Sequence, residues 1–98
     1  MTDIKVIIPA FNEADSISKV IKELPSSVSE IIVVNNNSTD STVQNAEKAG
    51  ATVLSEIRKG YGYACLKGLD YIAKQPKGPN IIVFIDGDYS DYPEELEK

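Results

Sequence analysis

Two carboxylates stand one residue apart near the end of the chain, in Asp86-Gly87-Asp88. Carboxylate oxygens suit hard divalent cations such as Mg²⁺ and Mn²⁺, and a flexible glycine would let two acids share one ion. Such an ion commonly arrives with substrate phosphates. The plainer alternative is a pair of solvated turn acids, capping whatever helix follows. Directly upstream, Ile81-Ile82-Val83-Phe84-Ile85 reads as a short buried strand. The acids therefore fall just past a strand's C-terminal end, where open α/β sheets bind ligands.

Three further stretches carry groups that suit a nucleotide. In Pro9-Ala10-Phe11-Asn12-Glu13, Phe11 either stacks on a base or plugs the end of the sheet. Glu13 either accepts from ribose hydroxyls or sits in a first helical turn. Asn35 opens the polar run Asn35-Asn36-Asn37-Ser38-Thr39-Asp40. Its carboxamide offers a donor and an acceptor, matching the N3–H and a carbonyl of uracil, whereas Ser38 to Asp40 reads as a helix cap. Arg58 and Lys59 lie beside Gly60 and Gly62. They either meet phosphate oxygens at a helix N-terminus or form a solvated basic turn. The chain contains neither G-x-G-x-x-G nor G-x-x-x-x-G-K-[ST], which argues against dinucleotide binding and P-loop chemistry.

The elements that must position these groups alternate. Ile4 to Ile8 reads as a strand stopped by Pro9. A helix follows, capped by Asn12 or Asp15, with Ile17, Val20, Ile21 and Leu24 as its apolar stripe and Pro25 as its end. Ile31 to Val34 is a second strand. Ser41 to Ala49 is a second helix, stopped by Gly50. Ala51 to Leu54 is a third strand. Tyr63 to Lys74 is a third helix, with Cys65, Leu69 and Ile72 on one stripe and Gly68 allowing close approach to the sheet. The order β-α-β-α-β-α-β predicts a three-layer, Rossmann-like α/β domain with a parallel sheet and right-handed crossovers. None of the four strands alternates apolar with polar residues, so both sheet faces should be covered.

Composition narrows the functional classes. The 98 residues suffice for one domain, and 42% hydrophobic with 26% charged residues is a globular balance. A net charge of −5 without a basic block disfavours nucleic acid. There is no His, which excludes His-based catalysis and His-ligated zinc within the chain, and Cys65 is alone. A reducing, cytoplasmic setting is the expectation. The start lacks the basic and apolar regions of a signal peptide, and no apolar run approaches the roughly 20 residues of a membrane span. Pro93 to Lys98 reads as the opening of a helix, so a truncated domain is expected, with a parent protein that could be membrane-associated.

The four stretches together resemble the inverting family 2 glycosyltransferases, which have the GT-A fold. The resemblance runs through Val6 to Glu13, Ile32 to Thr42, Arg58 to Ala64 and Phe84 to Pro93, nearly the whole chain. The last segment looks most like dolichyl-phosphate-sugar synthase relatives. By this resemblance the chain is the N-terminal, nucleotide-sugar-binding half of a domain that transfers a hexose from a nucleoside diphosphate. Pro9, Ala10, Phe11 and Glu13 would hold the nucleotide, with Asn35, Arg58, Lys59, Asp86 and Gly87. Asp86 and Asp88 would hold a divalent metal, Mg²⁺ or Mn²⁺, whose charge offsets that of the leaving diphosphate. Asn35 stands where the family usually has an acid, and an amide suits uracil better than guanine, so a UDP-sugar is expected.

The general base that inversion requires has no match, since Asp91 and Glu94 lie too close to the metal motif. The isolated chain should therefore bind nucleotide without turnover. Two alternatives remain: a sugar-phosphate nucleotidyltransferase, which would carry a glycine- and arginine-rich loop after the first strand, and a non-enzymatic receiver-like signalling domain. A family-like strand order of 3-2-1-4 would leave Ile81 to Ile85 as an open edge, a template for a homo-oligomer.

Overall fold

The computed structural model describes residues 3–87. Asp88, Asp91, Pro93 and Glu94 lie outside the described residues. Seven elements follow in order: β1 (Ile4–Ala10), α1 (Ile17–Lys22), β2 (Val28–Asn35), α2 (Thr42–Lys48), β3 (Thr52–Ser55), α3 (Tyr61–Ala73) and β4 (Ile81–Phe84). The strands form one parallel sheet in the order β3-β2-β1-β4. Continuous apolar runs make β1 and β2 its buried centre. Val6, Ile8, Ala10 and Val33 face Ile17, Val20 and Ile21 of α1 and Ala46 of α2. Ile7, Ile32 and Val34 face Ala64 and Ile72 of α3. The three-layer Rossmann-like arrangement results.

Several local expectations are corrected. Pro9 does not stop β1; the strand continues through Ala10, pairing Pro9 with Val34. Residues alternate in the side to which their backbone groups point. Ile7 offers its carbonyl to the N–H of Ile85 on the β4 side, so Pro9 also points that way. Pairing with β4 ends at Ile7–Phe84, so the missing Pro9 donor falls where no ladder bond is due. Neither Asn12 nor Asp15 is the N-cap of α1; Ser16 occupies that position. Asn12 adopts a left-handed backbone, φ +52°, and its side chain is used elsewhere.

α3 begins two residues earlier than expected, and its buried stripe is Ala64, Gly68 and Ile72. Leu66 and Leu69 are exposed. The small residues bring the helix onto β1: a Cβ on Gly68 would stand 2.8 Å from Ile7 Cγ2. Coverage of both faces also fails at β4, where Ile81 and Phe84 are exposed. Among the described residues β4 is an edge, paired with β1 alone.

Candidate nucleotide site

A parallel sheet sends all its strand C-termini to one end, and the four loops that follow β1 to β4 meet there. They enclose a recess of about 270 Å³. The first loop contributes Pro9, Ala10, Phe11 and Glu13. The end of β2 contributes Asn36, the start of α3 contributes Gly60, Tyr61 and Ala64, and the end of β4 contributes Asp86 and Gly87. A second recess of about 490 Å³ lies beside it, lined by Phe11, Asn36, Asn37, Thr39 and Lys59. Phe11 and Asn36 border both. Phe11 is 57% exposed, so it does not plug the sheet end and presents a ring to solvent.

Side chains stitch the loops together. The Asn12 N–H donates to Ser38 Oγ at 2.9 Å, and Asn12 Oδ1 accepts from the Thr39 N–H at 2.8 Å. The Glu13 N–H donates to Thr42 Oγ1 at 2.8 Å, and that hydroxyl donates to Asp40 Oδ1. Asp40 also accepts from the backbone N–H groups of Thr42 and Ala14, at 3.0 and 3.2 Å. The Thr42 hydroxyl foremost, then these N–H groups, hold the Asp40 carboxyl below its ordinary range despite some desolvation. Thr42 is wholly buried, and this network satisfies it while fixing where Glu13 leaves the sheet. Ser16 Oγ donates to the Gly87 carbonyl at 2.6 Å, joining the first loop to the end of β4.

Gly87 serves close packing rather than flexibility. A Cβ there would lie 3.3 Å from Glu13 Cγ and 3.4 Å from Ile17 Cδ1. Glycine thus lets the chain bearing Asp86 pass against the base of Glu13.

The other sequence candidates sit elsewhere. Asn35 lines neither recess; its Oδ1 accepts from the Ser38 N–H at 3.1 Å and shapes the turn. The next residue, Asn36, lines both. Arg58 also lines neither. Its guanidinium donates twice to Glu56, at 3.1 and 2.8 Å, and stacks 4.5 Å from the Tyr63 ring centroid. Arg58 in turn holds the Glu56 carboxyl down to about 2. Lys59 borders the second recess, not the one that contains Asp86. Asn36, Gly60, Tyr61 and Ala64 are additions that motif reading missed. The signal for Asn36 was its neighbour: alternation along a strand puts Asn35 and Asn36 on opposite sides, and only the register decides which one turns inward.

The recess bearing Asp86 is lined by two carboxylates, Glu13 and Asp86, and by no Lys or Arg among the described residues. No cluster of three or more His, Cys, Asp or Glu side chains able to hold a metal occurs among them either. This donor set fits Mg²⁺ or Mn²⁺, which is usually bound through one or two carboxylates, with water and substrate phosphates completing the shell. No helix among the described residues is long and apolar enough to cross a membrane.

Comparison with known proteins matches the family model described as "Glycosyl transferase family 2" to residues 5–98. Protein RfbJ of Shigella flexneri is 41% identical over 88 residues, covering 88% of this chain and 64% of RfbJ. An uncharacterized glycosyltransferase of Mycobacterium tuberculosis is 37% identical over 95 residues, covering 97% of this chain and 41% of its own length. Among solved structures, glucosyl-3-phosphoglycerate synthase from Mycobacterium tuberculosis, in complex with Mn²⁺, UDP and glucosyl-3-phosphoglycerate, superposes with a TM-score of 0.74 at 33% identity. That match covers 88% of this chain and 33% of the synthase. The same synthase has been solved with Mg²⁺ and UDP. The chain thus spans less than two thirds of the length of each of these relatives.

Proposed function

The chain belongs to glycosyl transferase family 2, and from that premise we propose that it is the donor-binding part of an enzyme that transfers a hexose from a nucleoside diphosphate sugar to an acceptor. The observation that carries the reading is the recess at the strand C-termini, where Phe11, Glu13 and Asp86 converge from loops far apart in sequence.

Phe11 offers its exposed ring to the base, and Glu13 accepts from ribose hydroxyls. The diphosphate lies toward Gly60 and the first turn of α3, where helical N–H groups lack partners within the helix. Asp86 would hold a divalent cation, with Asp88 as the expected second ligand outside the described residues. That ion, when bound, supplies charge neutralisation of the leaving diphosphate. Without it, the two carboxylates of the recess would oppose the phosphates.

Support for UDP comes from the solved relatives, whose complexes contain UDP, rather than from Asn35, whose carboxamide oxygen is committed to the turn. A sugar-phosphate nucleotidyltransferase is disfavoured, because the loop after β1 carries no glycine- and arginine-rich sequence. Isothermal titration of the chain with UDP and with GDP, each with Mn²⁺, tests the reading. UDP should bind more tightly. Absence of binding by either nucleotide would overturn it, and tighter GDP binding would overturn the uridine assignment. We also propose self-association through the edge that β4 presents among the described residues, and a strictly monomeric mass by light scattering at high concentration would refute it.

A further inference from the structure

The loop between β3 and α3 brings Gly60 and Tyr61 to the inner recess and Lys59 to the outer one. It has no regular structure of its own. Two carboxamides from the end of β2 hold it. Asn36 Nδ2 donates to the carbonyls of Glu56 and Arg58, at 2.9 and 2.8 Å, and Asn36 Oδ1 accepts from the Gly60 N–H at 3.0 Å. Asn37 Nδ2 donates to the carbonyl of Ile57 at 3.0 Å. Three consecutive carbonyls and one amide are thereby tied to adjacent residues of another loop. Gly60 itself has φ +126°, a conformation open to glycine and strained for other residues. Its pinned N–H sets the point from which α3 departs.

We propose that Asn36 is a positioning residue for the nucleotide site. Its carboxamide fixes the loop that presents Lys59, Gly60 and the first turn of α3, so the ligand meets a formed wall and does not have to order one. The side chain lines the recess yet spends both of its polar atoms on the loop backbone. Its role is therefore to place other groups. The proposal rests on reading the recess as a nucleotide site.

The test uses the whole chain, with UDP and Mn²⁺ as the probe. Asn36→Ala removes all three bonds. Asn36→Asp keeps an acceptor for Gly60 but sets an oxygen against the carbonyls of Glu56 and Arg58. Asn36→Ala should expose the Gly60 amide to hydrogen exchange at least tenfold faster, with β1 and β2 amides unchanged. Both variants should bind UDP at least tenfold more weakly. A role confined to stability would lower the thermal midpoint and leave the affinity of the folded protein alone, so affinity within twofold of the parent overturns the proposal. Should both variants fail to fold, Asn37→Gly carries the comparison, since it removes the Ile57 contact while tolerating the φ of +67° at that position; it should weaken UDP binding, and unchanged affinity would overturn the loop's role. If the parent itself does not bind UDP, the nucleotide reading fails first, and unchanged Gly60 exchange would then overturn the clamp independently.

Discussion

Gly68 of α3 sits directly over Ile7 of β1, so close that a single added methyl group would approach Ile7 Cγ2 to 2.8 Å. Real Cβ contacts essentially never come so near, and the neighbour is a fully buried side chain in the central strand. Gly68→Ala should gain about 1 kcal/mol of helix propensity and lose about 1–3 kcal/mol to overpacking. The second effect should win, because the clash is with a fully buried side chain of the central strand. Urea denaturation should show a net loss of up to about 2 kcal/mol. A variant more stable than the parent would mean that the helix–sheet contact is softer than its geometry.

At the opposite end of the sheet, Glu30 gathers four donors: Lys5 at 3.0 Å, Thr52 at 2.9 Å, Tyr71 at 2.7 Å and Gln75 at 3.1 Å. Burial pushes its carboxyl upward, but the hydrogen bonds from Tyr71, Gln75, Lys5 and Thr52 outweigh that and bring it from 4.5 to about 2. A carboxyl depressed in the folded state contributes stability that is fully present above its unfolded value. That contribution is lost as pH falls through the folded one. Glu30→Gln should therefore cost on the order of 2 kcal/mol near pH 7. The gap between variant and parent should close between about pH 4.5 and pH 2. A gap independent of pH would show that the charge is not what the four donors hold.

Phe11 and Asp86 should fail differently. Phe11 is exposed, so Phe11→Ala should leave stability within about 0.5 kcal/mol. If its ring stacks on the base, UDP affinity should fall by about 1–3 kcal/mol, with or without Mn²⁺. Asp86→Asn should remove the part of UDP affinity that Mn²⁺ adds and, with one opposing carboxylate neutralised, should not lower the metal-free affinity. Calorimetry of both variants, with metal and with a chelator, separates the two roles. Equal loss for Asp86→Asn in the two conditions would take the metal away from this residue.

Much of this architecture was legible in the residues. Largely apolar runs, broken only by Lys5 and Thr52, marked the four strands, and Ile17, Val20 and Ile21 marked the buried face of α1. Small residues carried the information that was missed. Ala64 and Gly68 bury most of the inner face of α3 yet have almost no hydrophobic signature, while the louder Leu66 and Leu69 point to solvent. Pro9 misled because its cost depends on which neighbour its missing donor would face, and that requires the strand order. Asn35 and Asn36 are chemically identical and adjacent. Their different fates follow from strand register, which a local motif does not contain.

The pairing of β1 with β4 has a consequence for the order of events during synthesis. β1 leaves the ribosome first, and the Asp3 carbonyl must wait for the N–H groups of Asn80 and Ile81. Until β4 has been made, the future central strand is a bare flank, with only β2 beside it. Contacts this distant along the chain are slow to form. Asp86 joins Pro9 and Ala10 only when that wait ends, so ligand capture reports the docking of β4 on β1, and a nascent chain lacking β4 should be blind to nucleotide.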